Sequence, residues 1–194
     1  MPRDGEKTRK AIVDAAARLF YGEGIRAVSM DAVAAKAGLT KKTLYYHFPS
    51  KDHLITAYLE SQDQPALALY QRWYAETAGD VSSKVRGMFE GLLAVANRPK
   101  WRGCGFLRTV SELASTPGHP AIKVGSAHKK RFETWLASTF EGENIANPAE
   151  LARELVVLLD GAATIMLIHR DGDYVRLAGK LAERLVEHNR TLGA

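Results

Sequence analysis

Between residues 12 and 20 the apolar side chains fall at Ile12, Ala15, Ala16, Leu19 and Phe20, the i, i+3, i+4, i+7, i+8 rhythm of one helix face. Helical spacing recurs along the chain, and no stretch alternates with the period of two that a half-buried strand needs. The chain is thereby restricted to an all-α fold. Gly22 and Gly24 stop the first helix. Ser29 caps a short second one, "MDAVAAKA", which turns Val33, Ala34 and Ala37 inward and ends at Gly38. Thr40 caps a third, "KKTLYYHF", closed by Pro49. Ser50 caps a fourth that begins at Lys51, and Pro65 marks a bend or a boundary in it. Further helices are expected near 66–78, 83–97, 104–115, 120–141, 148–170 and 173–191, about nine in all. The separators "AGD", "RPKWRG", "TPGHP", "EGENIANP" and "DGD" are rich in Gly, Pro, Asn and Asp.

The length of 194 residues suits one ordinary domain or a small module fused to a larger one. With 46% apolar and 25% charged residues, the balance is that of a folded protein. Charge is unevenly placed. Residues 1–51 hold ten Lys and Arg against five Asp and Glu, whereas residues 52–194 hold seventeen of each. A basic module beside a neutral body points to a polyanion-binding head, and on charge alone a solvated helix face is an equal alternative. The division expected is 1–51 for a helix-turn-helix DNA-binding domain and 52–194 for a ligand-binding and dimerisation domain. Asp14 and Arg18 interrupt the apolar run behind the basic N-terminus, so no signal peptide is expected. The most apolar stretch, residues 155–168, is too short to span a bilayer and contains Asp160. A lone cysteine, Cys104, cannot form an internal disulfide. A cytoplasmic protein with no membrane partner is the expectation.

Two short helices joined by a tight turn containing Gly38 make a helix-turn-helix, whose second helix can enter the DNA major groove. On that helix Leu44 and Phe48, four apart, point to the core. Lys41, Lys42, Tyr45 and Tyr46 are left outward, with Thr43 and His47 at the flanks. Lysines read guanine or neutralise phosphate, and tyrosine hydroxyls donate to phosphate oxygens. Lys51, in the first turn of the next helix, is placed where free N–H groups and the dipole favour a phosphate.

"TRKAIVDAAARLFYGEGIRAVSMDAVAAKAGLTKKTLYYHFPSKDHL" resembles the DNA-binding head of the tetracycline-repressor (TetR) family of bacterial regulators. The likeness rests on the amphipathic first helix ending in Phe20 and Gly24, on "VAAKAG" and on "TLYYHFPSKDHL", and covers residues 6–56. It implies a homodimeric repressor that binds a near-palindromic double-stranded operator. In such a protein a variable helical body holds a small-molecule effector and the last two helices form the dimer. The family's DNA-contacting positions correspond to Thr40, Thr43, Tyr45, Tyr46, His47 and Lys51. Lys42 stands where the family often has a small residue, which leaves base preference open.

In the body, Leu151, Leu155, Leu158, Ala162, Ile165 and His169 form one stripe, and Val156, Leu159, Ala163 and Met166 make most of the remaining circumference apolar. Together with Leu181 and Leu185 of the last helix, the positions Leu155, Leu158, Ala162 and Ile165 are the expected dimer contacts. Burial inside one chain is the alternative. For the effector, Trp73, Phe89, Trp101, Phe106, Trp135 and Met166 are the candidate lining, with Trp101 read as exposed at a cavity entrance and Arg102 or Arg108 holding an anionic group. Most aromatics at helical spacing are core. No Gly-rich phosphate loop, G-x-S-x-G elbow or H-E-x-x-H occurs, so the reading is a regulator and not an enzyme, with no cofactor and no metal. Cys104, beside Arg102 and Arg108 at a helix start, is a redox or electrophile candidate, although a free cysteine is more often a small buried hydrophobe. A non-sensing architectural DNA binder is the remaining alternative.

Overall fold

The helices begin where side-chain oxygens replace missing carbonyl acceptors. Ser29 Oγ accepts from Ala32 N–H at 3.1 Å, Thr40 Oγ1 from Thr43 N–H at 3.2 Å, and Asp80 Oδ1 from Ser83 N–H at 3.1 Å. The protein, described by a computed structural model over residues 2–192, is helical throughout, with no strand among those residues. The elements are α1 (Pro2–Glu23), α2 (Met30–Ala37), α3 (Lys41–His47), α4 (Lys51–Glu76), α5 (Val81–Ala96), α6 (Gly105–Glu112), α7 (Pro120–Gly142), α8 (Pro148–His169) and α9 (Asp173–Leu192).

The described residues form two compact units, one of residues 2–64 and 105–126 and the other of 65–104 and 127–192. The first buries Ile12, Ala16, Phe20, Val33, Leu44, Phe48, Leu54 and Tyr58, with the Phe20 and Tyr58 rings edge to face at 5.7 Å. The second is built on α5 lying along α9 and α8 along α9. Its core runs through Val85, Phe89, Leu136, Phe140, Leu155, Leu159, Met166, Val175 and Val186.

Two features depart from the sequence expectation. Pro65 does not end or divide a helix, because α4 continues through it to Glu76. The lost backbone bond and ring clash cost about 3 kcal/mol, and burial of Leu54, Leu59 and Leu67 along the helix offsets them. The contact boundary between the units nevertheless falls at Gln64–Pro65. The second departure is that α6 and its following turn, in the body by sequence, pack with the head.

Candidate nucleic-acid interface

The turn between α2 and α3 is set by Gly38, at φ +70°, with its N–H on Ala35 O at 3.1 Å and Leu39 N–H on Ala34 O at 2.9 Å. Leu44 and Phe48 are buried, and they fix which side of α3 is left outside. That side carries Lys41, Lys42, Tyr45 and Tyr46, all exposed, with Tyr46 84% accessible. Tyr46 is held edge-on to the His47 ring at 5.2 Å, so its hydroxyl projects from a braced ring. Arg9 of α1 lies over the Phe48 ring at 4.8 Å, closing the far side of the three-helix core.

Four of the sequence-predicted DNA residues are thus exposed on one side of α3, but the predicted residues are not equally available. Lys41 is ion-paired with Asp31 of α2 at 2.9 Å, and that hydrogen bond and charge raise its pKa above the ordinary lysine value. Thr40 and Thr43 turn their hydroxyls toward each other at 2.9 Å, with Thr40 also capping α3. Lys51 reaches the Arg26 carbonyl at 3.5 Å, which holds its ammonium at the start of α4. Ser50 caps that helix, accepting from His53 N–H at 3.3 Å. Asp31 escaped the sequence reading because its pairing with Lys41 crosses a turn, outside the helical i+3 and i+4 spacings.

The body residues distribute differently. Trp73, Phe89, Trp101, Trp135 and Met166 lie in the second unit, and Phe106 and Arg108 in the first. Trp101, expected at an entrance, is only 7% exposed; its N–H bonds Arg98 O at 3.0 Å and Arg170 stands 5.8 Å over its ring. Arg108 donates to Tyr21 O at 2.7 Å and Arg102 to the carbonyls of Pro99 and Trp101, which occupies donors expected to hold an anion. Within the second unit, Tyr70 stands between Trp73 at 5.0 Å and Phe132 at 4.9 Å, and Phe132 meets Trp135 at 5.6 Å. Beside this aromatic run, Lys129 is ion-paired with Asp160 and lies 3.8 Å from Cys104 Sγ. Burial, then Cys104 and Asp160, push the Tyr70 hydroxyl well above the usual phenol range, so it stays a neutral donor.

Of the predicted dimer positions, Leu155 and Ala162 are buried in the chain's own core, Leu158, Ile165 and Leu185 are half-buried, and Leu181 is exposed. The exposed stripe of α8 is instead Val157, Gly161 and Ile168, one or two turns apart, with Val157 70% and Ile168 64% accessible. On α9 it is Tyr174, Leu177 and Leu181, with Leu192 at the end. A side chain at Gly161 would meet nothing within 4 Å, whereas one at Gly91 of α5 would run into the Trp73 ring at 2.2 Å.

Comparison with known proteins converges on the same head. Residues 12–58 match the sequence profile of bacterial regulatory proteins of the tetR family. The HTH-type transcriptional regulator SrpR of Pseudomonas putida is 37% identical over 62 residues, which is 32% of this chain but 29% of that protein's own length. HTH-type regulator YjdC of Escherichia coli is 22% identical over 185 residues, covering 94% of this chain and 95% of that one. SCO4454, a TetR-family regulator from Streptomyces coelicolor, superposes with a TM-score of 0.78 at 29% identity, covering 97% of this chain and 96% of its own. With a capped helix-turn-helix at the N-terminus and a full-length helical likeness behind it, the head of the chain, residues 12–58, belongs to the tetR family of bacterial regulatory proteins, and the whole chain shares the fold of TetR-family transcriptional regulators.

Proposed function

We propose that this regulator is a homodimeric repressor, with residues 1–51 reading a near-palindromic operator and residues 52–194 providing dimerisation and an effector site. The observation that carries the reading is the aliphatic stripe on α8 and α9. Val157, Ile168, Leu177 and Leu181 lie exposed on the outer faces of two neighbouring helices, and a second copy covers them by two-fold repetition of the same patch. Two heads so joined address two half-sites, about one helical turn of DNA apart.

The effector fitting the second unit is an aromatic, largely apolar molecule seated against Tyr70, Trp73, Phe132 and Trp135. A hundredfold loss of operator affinity on binding it corresponds to a coupling free energy of about 3 kcal/mol. Capture and sequencing of genomic fragments by the purified protein identifies the operator, and sedimentation on that duplex tests the dimer. Compounds that quench tryptophan fluorescence are then scored for release of the duplex. If every quenching compound leaves operator binding unchanged, the protein is an architectural DNA binder and not a sensor.

A second reading is favoured by one contact. Lys129 Nζ lies 3.8 Å from Cys104 Sγ, and this cationic neighbour makes Cys104 a candidate for oxidants or electrophiles. Loss of operator binding on mild peroxide, reversed by thiol and absent from Cys104→Ser, would establish it; an unaltered wild type removes it.

A further inference from the structure

The turn between α1 and α2 has no helix to complete its backbone hydrogen bonding. Its Ile25 and Arg26 N–H groups find their acceptors 87 and 86 residues away, on the Glu112 carboxylate, at 3.2 and 2.9 Å. The two oxygens are divided one to each amide, a bidentate, charge-assisted arrangement. Gly24, at φ +92°, makes room for it, since a side chain there would stand 3.0 Å from Glu112 Oε1. Arg26 returns the grip, donating from Nε to Glu112 O at 3.0 Å and from Nη2 to Ser115 Oγ at 3.1 Å.

Two further contacts from the same segment act on neighbouring parts of the head. Arg108 Nη1 holds Tyr21 O, near the end of α1. His119, 5% exposed, accepts Ala121 N–H on Nδ1 and turns Nε2 to within 3.4 Å of Asp52 Oδ1, beside Lys51. The Arg26 residue fixed by Glu112 is also the one whose carbonyl receives Lys51 Nζ. Ile25, immediately before it, is buried in the head. The route from Glu112 thus leads through one residue to a lysine of the reading surface and to the entry of α2.

We infer that Glu112 is a positioning residue for DNA binding: without touching DNA, it sets the pose of α2 and the start of α4 by capping the α1–α2 turn. This inference rests on the reading surface assigned to α3 and Lys51. A residue that only positions lowers affinity without removing a phosphate contact. The salt dependence of binding separates the two, because each phosphate-neutralising lysine adds close to one unit to the log–log slope.

The test uses the full chain and a duplex selected by the wild-type protein, measured from 50 to 300 mM salt at a temperature well below melting. Glu112→Ala is expected to weaken binding about tenfold with an unchanged slope, and Glu112→Gln, which keeps one acceptor oxygen, less. Lys51→Ala is the control that lowers the slope. Glu112→Ala within twofold of wild type while Lys51→Ala weakens binding overturns the positioning role, as does a lowered slope in Glu112→Ala. Silence of both variants overturns the reading surface and the positioning role with it. Should Glu112→Ala fail to fold, Glu112→Gln and Arg26→Met are judged by the same criteria: affinity loss at constant slope supports the role, and wild-type affinity overturns it.

Discussion

The outer face of α3 and the outer faces of α8 and α9 both expose large side chains, yet they expose different chemistry. On α3 the accessible groups are Lys42, Tyr45 and Tyr46, each an apolar stem ending in a donor. On α8 and α9 they are mainly aliphatic, Val157, Ile168, Leu177 and Leu181, with Tyr174 at the start of α9. A surface tipped with donors loses little by staying in water and gains when it meets phosphates and base edges. An aliphatic face has only dry contact to gain, at roughly 25 cal/mol per Å² of apolar area removed from water. The contrast separates a surface suited to a charged, transient partner from one suited to a permanent cover.

The largest effect should come from the aliphatic side. Charge placed there, as in the double variant Val157→Asp and Leu181→Asp, is expected to give a folded monomer in sedimentation and to cut operator affinity a hundredfold or more, because avidity between two heads is lost. A dimer that survives both aspartates breaks the comparison. Next in size is the α3 face. Tyr46→Ala or Lys42→Ala should each weaken operator binding about tenfold while leaving the dimer intact, and Lys42→Ala should also change which bases are tolerated. Binding assays across operator variants check this. Smaller again, Lys51→Ala should act alike on all sequences and lower the salt slope by about one.

The smallest expected effect belongs to neither face. Asp80 accepts from the Ser83 amide, the Ser82 and Ser83 hydroxyls and Arg190, and these bonds, in that order, hold its carboxyl well below the usual carboxylate range. A group depressed in the folded state contributes stability above its unfolded pKa, near 4, and loses it as pH falls toward the folded value. Asp80→Asn should therefore lower the melting temperature at pH 7 slightly and flatten its fall below pH 4. Parallel melting curves for both proteins across that range would remove Asp80 from the account.

The head was legible because its determinants are local. Ser29, Gly38 and Thr40 announce the two helices within three residues of each boundary, and the spacing of Leu44 and Phe48 orients α3. The body was legible as helices but not as surfaces. On α8 the apolar residues go nearly all the way round, so the sequence period cannot distinguish Leu155, buried, from Val157, exposed. Which side is covered is decided by α9, the next helix, and by α5, far earlier in the chain. Pro65 was misjudged for a related reason, since a local helix-breaking signal was overridden by burial on both sides of it. Likewise, nothing near Glu112 or Arg26 in sequence announces their pairing.

Two glycines leave different signatures for natural selection to act on. Gly91 is confined by its own chain: even a methyl group would collide with the Trp73 ring, so homologues that keep a tryptophan at 73 should keep glycine at 91. Gly161 faces no such obstacle, and alanine in its place would favour the helix by about 1 kcal/mol. A lineage evolving as a monomer should accept that exchange readily and drift to alanine or larger. A lineage in which a second copy lies against α8 should hold the position small through generations of otherwise free substitution. The ancestry of position 161 is therefore a fossil record of whether the partner was ever lost.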